Sequence, residues 1–138
     1  MITAAESTRI LESDSGLLIY VPVKLDPEFL RDVLGIAICG GINYWANITE
    51  QSEDYCDIAP MYPALPAVPE CPDDFQSQPL TLAHLVAGIR RATEKGACAL
   101  RIRKAIMNAI HNQDAGCIDD ECADVIVQLA LFNEIVYS

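Results

Sequence analysis

Hydrophobic and polar positions alternate with a period of two in parts of the chain and recur with a helical period in others. The segments TRILE and LLIYVPVKL flank the turn-forming DSG, which predicts a β-hairpin with Pro22 at an edge or a bulge. Asp26, Pro27 and an apolar stripe ending at Ile38 then predict a helix whose N-cap is Asp26. Gly35 lies in this stripe, where we expect it to admit the backbone of a neighbouring element.

The segment GGINYWANITE, residues 40–50, predicts a helix end followed by a strand. We expect one of its two glycines to end the helix in the left-handed conformation. Strand alternation assigns one face to the core, namely Ile42, Tyr44, Ala46 and Ile48. The other face resembles a recognition surface with an aromatic ring between two amides, namely Asn43, Trp45, Asn47 and Thr49. The alternative is that a helix or loop covers Trp45, because tryptophan is commonly buried over most of its area.

Helical periodicity dominates the last part of the chain. Thr81 caps a helix that ends near Gly96, and a second helix covers about residues 100–112. Asp119 begins a third helix, which we expect Asn133 to end in the left-handed conformation. The closing segment EIVYS then predicts a strand, and DYCDIA predicts another short strand earlier in the chain.

These elements predict one α+β domain over residues 1–138, with an antiparallel sheet made of the hairpin and the GGINYWANITE strand and packed on three or four helices. Residues 60–79 form a proline-rich loop or arm on its surface. Prolines recur there every three residues, so that a polyproline II helix would align them on one edge: Pro60, Pro63, Pro66, Pro69 and Pro72. The arm either straps its own domain, docks on a second copy, or binds a partner with an aromatic groove.

Charge is distributed unevenly along the chain. Residues 90–104 contain six basic residues and one acid, a net charge of +5, although the whole chain has a formal charge of −11. The rest of the chain has three basic and nineteen acidic residues, a net charge of −16. The overall charge argues against general binding to DNA or to an anionic membrane. The basic window is either a solvated helical face or a local anion site.

Sequence motifs for catalysis, phosphate binding and metal binding are missing. The six cysteines form no C-x-x-C pair, and a zinc site from His111, Cys117 and Cys122 would have an unusual spacing. We therefore predict no catalytic residue, no metal and no cofactor, and we interpret the cysteines as reduced and mostly buried. The N-terminal residues lack a signal-peptide pattern, and no apolar run approaches the roughly 20 residues of a membrane span. We expect a cytoplasmic protein with no membrane partner.

Two segments resemble small proteins encoded by phages, prophages and related mobile elements. They are F-L-R-D-V-L followed by G-G-I-N-Y-W-A, within residues 29–46, and A-D-V-I-V-Q-L-A-L-F-N-E-I-V-Y, residues 123–137. Together they cover about a quarter of the chain. This sequence has Asn133 where the family often ends its last helix with glycine. The resemblance implies a phage or mobile-element origin, and it implies no activity.

Three functional hypotheses follow. The first is a non-catalytic accessory factor that docks on a host protein through its acidic surface, for example to take over the host or inhibit its defence, in the host cytoplasm. The second is a protein that sequesters a nucleotide, with Trp45 or Tyr44 stacking on the base and Arg90, Arg91 or Arg101 binding the phosphate. The third is an assembly subunit that self-associates. We expect a homo-oligomer whose partner is a host protein or a small nucleotide. The candidate binding residues are Asn43, Tyr44, Trp45, Asn47, Arg90, Arg91 and Arg101.

Overall fold

The computed structural model describes residues 9–13, 16–20, 22–61 and 78–138, the first two ranges by their backbone alone. Four α-helices lie within these ranges: α1 (Pro27–Ile36), α2 (Leu82–Ala92), α3 (Leu100–Asn112) and α4 (Asp120–Phe132). Five strands accompany them: β1 (Arg9–Ser13), β2 (Gly16–Tyr20), β3 (Ala46–Gln51), β4 (Tyr55–Pro60) and β5 (Gln78–Thr81). The predicted α+β class is therefore confirmed, and most of the proline-rich arm lies outside the described residues.

The helix ends follow the local signals in the sequence. The Asp26 side chain accepts a hydrogen bond from the Glu28 N–H at the start of α1, and the Asp119 side chain accepts one from the Cys122 N–H at the start of α4. Thr81 and His84 form a reciprocal capping box at the start of α2. Asn133 adopts φ 59°, in the left-handed region, directly after α4. These four predicted boundaries are confirmed.

The strands form two separate antiparallel sheets. β1 pairs with β2 as the predicted hairpin, whereas β3, β4 and β5 form a three-stranded sheet in that order. The prediction that the hairpin and the GGINYWANITE strand share one sheet is therefore wrong. Strand β5, which the hydrophobic pattern did not predict, pairs with β4 and leads directly into α2.

Helix α4 lies at the centre of the helical layer. Its residues from Cys122 to Leu129 are all buried, because α1, α2, α3 and the turn Ala37–Gly41 after α1 pack around it. A helix buried on all sides is apolar all round. Two polar residues, Asp124 and Gln128, interrupt this apolar run, and their side chains are buried with it.

Helices α2 and α4 make a close contact at Gly88, whereas the sequence predicts a close backbone contact at Gly35. A Cβ at Gly88 of α2 would lie 2.2 Å from the Ile126 carbonyl oxygen of α4, so the two backbones meet there. Gly35 of α1 has open space within 4 Å, and the expectation that it admits a neighbouring backbone is wrong. Within the described residues, no helix is both long and apolar enough to cross a membrane.

Candidate functional site

The turn that follows α1 brings a glycine pair, Gly40 and Gly41, against the start of α4. The chain leaves α1 through a wider π-helical turn, Ala37–Gly41, in which Gly40 has φ 178°. This φ is extended and open to any residue, and Gly41 is not among the described glycines with a positive φ, so the predicted left-handed glycine at this helix end is wrong. Close contact favours a small residue here instead, because a Cβ on Gly41 would lie 3.0 Å from the Asp120 carbonyl oxygen. A Cβ on Gly40 would lie 2.8 Å from Asp120 Oδ2, which is the end of an exposed side chain that can move aside.

Residues 42–45 form a turn, and this turn decides which side chains face the core. The Ile42 carbonyl accepts hydrogen bonds from the Trp45 N–H at 3.1 Å and from the Ala46 N–H at 2.9 Å, so β3 begins only at Ala46. Strand alternation therefore does not apply to residues 42–45. Trp45 is 0 % exposed and Tyr44 is 45 % exposed, the reverse of the prediction. Asn43 and Asn47 are exposed as predicted.

Trp45 is held inside the protein by its indole N–H group and by its aromatic ring. Its indole Nε1 donates a hydrogen bond to Asp124 Oδ1 at 2.7 Å. Its ring stacks on the Tyr137 ring with centroids 4.9 Å apart and planes 10° apart, and it packs at 5.6 Å against the tilted Phe132 ring. The alternative reading, in which other elements cover Trp45, is the correct one.

Gln128 fixes the segment after α4 through hydrogen bonds to its backbone. Its Oε1 accepts from the Val136 and Tyr137 N–H groups, each at 2.7 Å, and its Nε2 donates to the Tyr137 carbonyl at 2.9 Å. Nε2 also donates to Asp124 Oδ1 at 2.9 Å. Residues 135–138 are held against α4 by a side chain and not by a sheet, so the predicted EIVYS strand is wrong.

Tyr44 joins this buried network to the surface. Its hydroxyl donates to Asp124 Oδ2 at 2.5 Å, while nearly half of its side chain remains exposed. Burial of the hydroxyl and its hydrogen bond to the Asp124 carboxylate raise the pKa of Tyr44, so the phenol stays a donor across the physiological pH range. The Tyr44 ring therefore has a fixed position at the surface.

An open cleft of about 580 Å³ lies over this network, and we call it the Tyr44 cleft. Its lining combines apolar side chains, glycine backbone and carboxylates, in the order Gly40, Gly41, Tyr44, Ala99, Ile102, Asp120, Glu121, Asp124, Val125, Ile135, Tyr137 and Ser138. Ile135 is 42 % exposed and lines the cleft beside Tyr44. The volume falls within the range of about 300–1,000 Å³ typical of ligand sites.

The three candidate arginines lie in different surroundings. Arg101 binds Glu121 Oε1 at 2.6 Å, beside the Tyr44 cleft. Arg91 donates from Nη1 to the Leu129 carbonyl at 2.6 Å and to the Ala130 carbonyl at 3.1 Å, so it satisfies carbonyls in the last turns of α4. Arg90 is exposed on α2. Neither Arg90 nor Arg91 lines the cleft that contains Tyr44.

The thiols and histidines of the described residues offer no assembled metal site. Among residues 22–61 and 78–138, no group of three or more His, Cys, Asp or Glu residues is placed to hold a metal ion. The five cysteines in those ranges are free, and Cys39 and Cys117 are exposed, contrary to the expectation that the cysteines are mostly buried small hydrophobes. Burial raises the pKa of Cys56 and of Cys122 to about 11 each.

Asp124 and Gln128 organise the whole site, although neither is among the binding residues predicted from the sequence. A signal for them exists: they are a polar pair four residues apart in the otherwise apolar run A-D-V-I-V-Q-L-A-L-F. Such a pair lies on one face of a helix, and on a buried helix it must find partners. Comparison with protein-family models, with the sequences of curated proteins and with solved structures finds no match for this chain.

Proposed function

We propose that this protein acts by binding a partner protein through the Tyr44 cleft, as a non-catalytic accessory factor of a phage or mobile element in the host cytoplasm. The observation that carries the proposal is the cleft itself, with an exposed Tyr44 ring held in place from below by Asp124 and with exposed Ile135 beside it. Aromatic and aliphatic side chains that are exposed but rigidly positioned are typical anchors of protein interfaces, since little conformational entropy is lost when they bind.

Two of the three carboxylates at the cleft, Asp124 and Glu121, favour binding over catalysis. Both Asp124 oxygens accept hydrogen bonds from protein donors, and Glu121 is paired with Arg101. A general base must reach the substrate proton directly or through one water, and the oxygens of Asp124 are taken by structural donors. Their arrangement supports a role in holding the cleft in shape.

A nucleotide is a poorer ligand for this site than a protein. Trp45 has no exposed area on which a base could stack. The carboxylates of Asp120, Glu121 and Asp124 line the cleft and would repel a phosphate group. The formal charge of −11 acts in the same direction over a longer range. The resemblance of residues 29–46 and 123–137 to phage and mobile-element proteins supports the proposed setting, in which the partner is a host protein.

Site-specific photo-crosslinking tests the proposal. A benzophenone amino acid replaces Ile135, which lines the cleft, or Met107, which is 47 % exposed on α3 and outside the cleft. We expect irradiation of bacterial cells to give one discrete adduct with another protein from position 135 and none from position 107. Equal labelling from both positions would contradict docking through the cleft. An adduct between two copies of this chain would replace the proposal with self-association.

A further inference from the structure

The acidic groups of the Tyr44 cleft differ in how they are neutralised. Glu121 has the Arg101 guanidinium at 2.6 Å, but the three donors to Asp124 are the uncharged side chains of Tyr44, Trp45 and Gln128. The exposed Asp120 carboxylate lies over Gly40, and among the described residues it has no hydrogen-bond or ion-pair partner. Three carboxylates and one nearby guanidinium leave about two negative charges at the cleft.

The start of α4 does not cancel this charge. A helix N-terminus acts as roughly half a positive charge, and the Asp119 side chain already caps this one. The remaining negative charge lies beside apolar surface, because Val125, Ile102 and Ile135 line the same cleft. A ligand that fits must therefore carry a cationic group on an apolar stem.

The Tyr44 ring adds a preference for the type of cation. Its hydroxyl donates to a carboxylate, which increases the electron density of the ring, and a ring face of this kind attracts cations. A guanidinium stacks on aromatic faces and pairs with a carboxylate through two parallel N–H donors, whereas an ammonium does neither as well. The three methylenes of an arginine side chain also cover apolar surface while the charged group stays hydrated.

Resting on the proposed function, we infer that the Tyr44 cleft takes an arginine side chain of the partner protein. The stem of this arginine packs on Ile135 and the Tyr44 ring, and its guanidinium pairs with Asp120. The partner is then a protein with an exposed arginine next to apolar residues, and the acidic surface of this chain favours its approach.

The test uses acetyl-Leu-Arg-Leu-amide and its twin with citrulline in place of arginine, which has nearly the same shape without the charge. Each is titrated into the ¹⁵N-labelled full chain while amide shifts are followed by NMR. We expect the arginine peptide to shift the Gly40, Gly41 and Ile135 amides, and to bind at least about threefold more tightly than the citrulline peptide.

Two matched variants locate the charge. Asp120→Asn should weaken binding of the arginine peptide by about threefold or more. Asp32 is an exposed aspartate on α1 outside the cleft, so Asp32→Asn should leave the affinity for this peptide unchanged. Equal binding of both peptides to the unaltered chain, or shifts away from the cleft, would overturn the inference. If Ile135 crosslinks to a partner but the arginine peptide does not bind, this inference fails and the proposed function stands; if neither occurs, both fail.

Discussion

At the scale of single residues, Asp124 and Gln128 carry more of the site than any exposed side chain. Asp124 has an exposure of 7 % and Gln128 of 0 %, and together they bind Tyr44, Trp45 and the backbone of residues 136–137. Within the described residues, no buried side-chain nitrogen or oxygen lacks a hydrogen-bond partner. A fully satisfied buried network specifies one arrangement of its members, because any rearrangement leaves a polar atom unpaired.

The Gln128→Glu variant tests this network by exchanging one NH₂ group for an oxygen. The new oxygen would face Asp124 Oδ1 and the Tyr137 carbonyl, both 2.9 Å from Nε2 in the native protein. We expect the free energy of unfolding at pH 7 to fall by about 3 kcal/mol, because a buried carboxylate would meet two acceptors. Chemical denaturation measures it, with the exposed Gln51→Glu as the control, which should change stability by less than about 0.5 kcal/mol.

The same variant has a predictable pH dependence. Burial and a neighbouring carboxylate raise the folded-state pKa of a glutamate above its unfolded value of about 4.3. The loss of unfolding free energy relative to the native protein should therefore shrink as the pH falls toward 4, since protonation of the glutamate restores a donor at this position. A deficit that is constant from pH 8 to pH 4 would show that Gln128 acts through packing alone.

At the scale of elements, the contact between α2 and α4 depends on one glycine. A Cβ at Gly88 would lie 2.2 Å from the Ile126 carbonyl oxygen, and this atom belongs to the backbone of a buried helix, which is costly to displace. The close approach lets α2 cover α4 over several turns. Helix propensity alone would favour alanine at this position by about 1 kcal/mol, so packing outweighs propensity here.

A matched pair of glycine variants separates the two effects. Gly88→Ala should lower the free energy of unfolding by more than about 2 kcal/mol, because the helices must move apart. Gly35→Ala should raise it by about 0.5–1 kcal/mol, since Gly35 lies in α1 with nothing within 4 Å of the added Cβ. Thermal and urea unfolding measure both. A stabilised Gly88→Ala variant would contradict the packing described for α2 and α4.

The N-cap of α4 gives a second prediction for an element. Donation by the Cys122 N–H lowers the pKa of Asp119, so the folded state favours the ionised cap. The stability that the ionised Asp119 cap contributes is present above the unfolded-state pKa of about 3.9. It is lost as the pH falls through the lower pKa of Asp119 in the folded state. Asp119→Ala should cost about 1 kcal/mol at pH 7 and progressively less below pH 4. Stability curves of the two proteins that stay parallel into the acid range would rule out a cap that acts as a carboxylate.

At the scale of the whole molecule, the charge balance predicts that repulsion between like charges outweighs the ion pairs. The chain has a formal charge of −11, and the ion pairs within the described ranges are three, all between exposed or half-exposed groups. Exposed pairs contribute about 0–1 kcal/mol each. Part of the basic window serves the fold, because Arg91 binds carbonyls of α4 and Arg101 binds Glu121. We therefore expect the acidic surface to determine how the molecule responds to salt.

Raising sodium chloride from 10 mM to 100 mM should increase the melting temperature by about 2–5 °C. The Debye length falls from about 30 Å to about 10 Å over this range, which screens the repulsion among the carboxylates more than it weakens short ion pairs. Differential scanning fluorimetry at constant pH measures the change. A falling melting temperature would mean that attractive charge pairs dominate the stability of the folded protein.

Sequence signals that act over one or two turns of chain were sufficient for much of the fold. Asp26, Thr81, Asp119 and Asn133 mark helix ends through hydrogen bonds to neighbours within four residues, and such bonds form wherever the helix lies. The α+β class and the four helices follow from periodicity in the same way. Tyr44 was assigned to the core face by strand alternation, and this assignment is wrong, because Tyr44 is 45 % exposed.

The tertiary structure alone decided the site. Trp45 faces the interior because the turn at residues 42–45 delays the strand and because Asp124, far away in sequence, accepts a hydrogen bond from its indole N–H. Residues 136–137 are not a strand because Gln128 takes their backbone hydrogen bonds. The local period of the apolar residues determines whether a segment forms a helix or a strand. This period does not reveal which distant side chain accepts the hydrogen bond of a buried donor. At this site the pairing of Trp45 with Asp124 decides that Trp45 is buried and that Tyr44 faces the cleft.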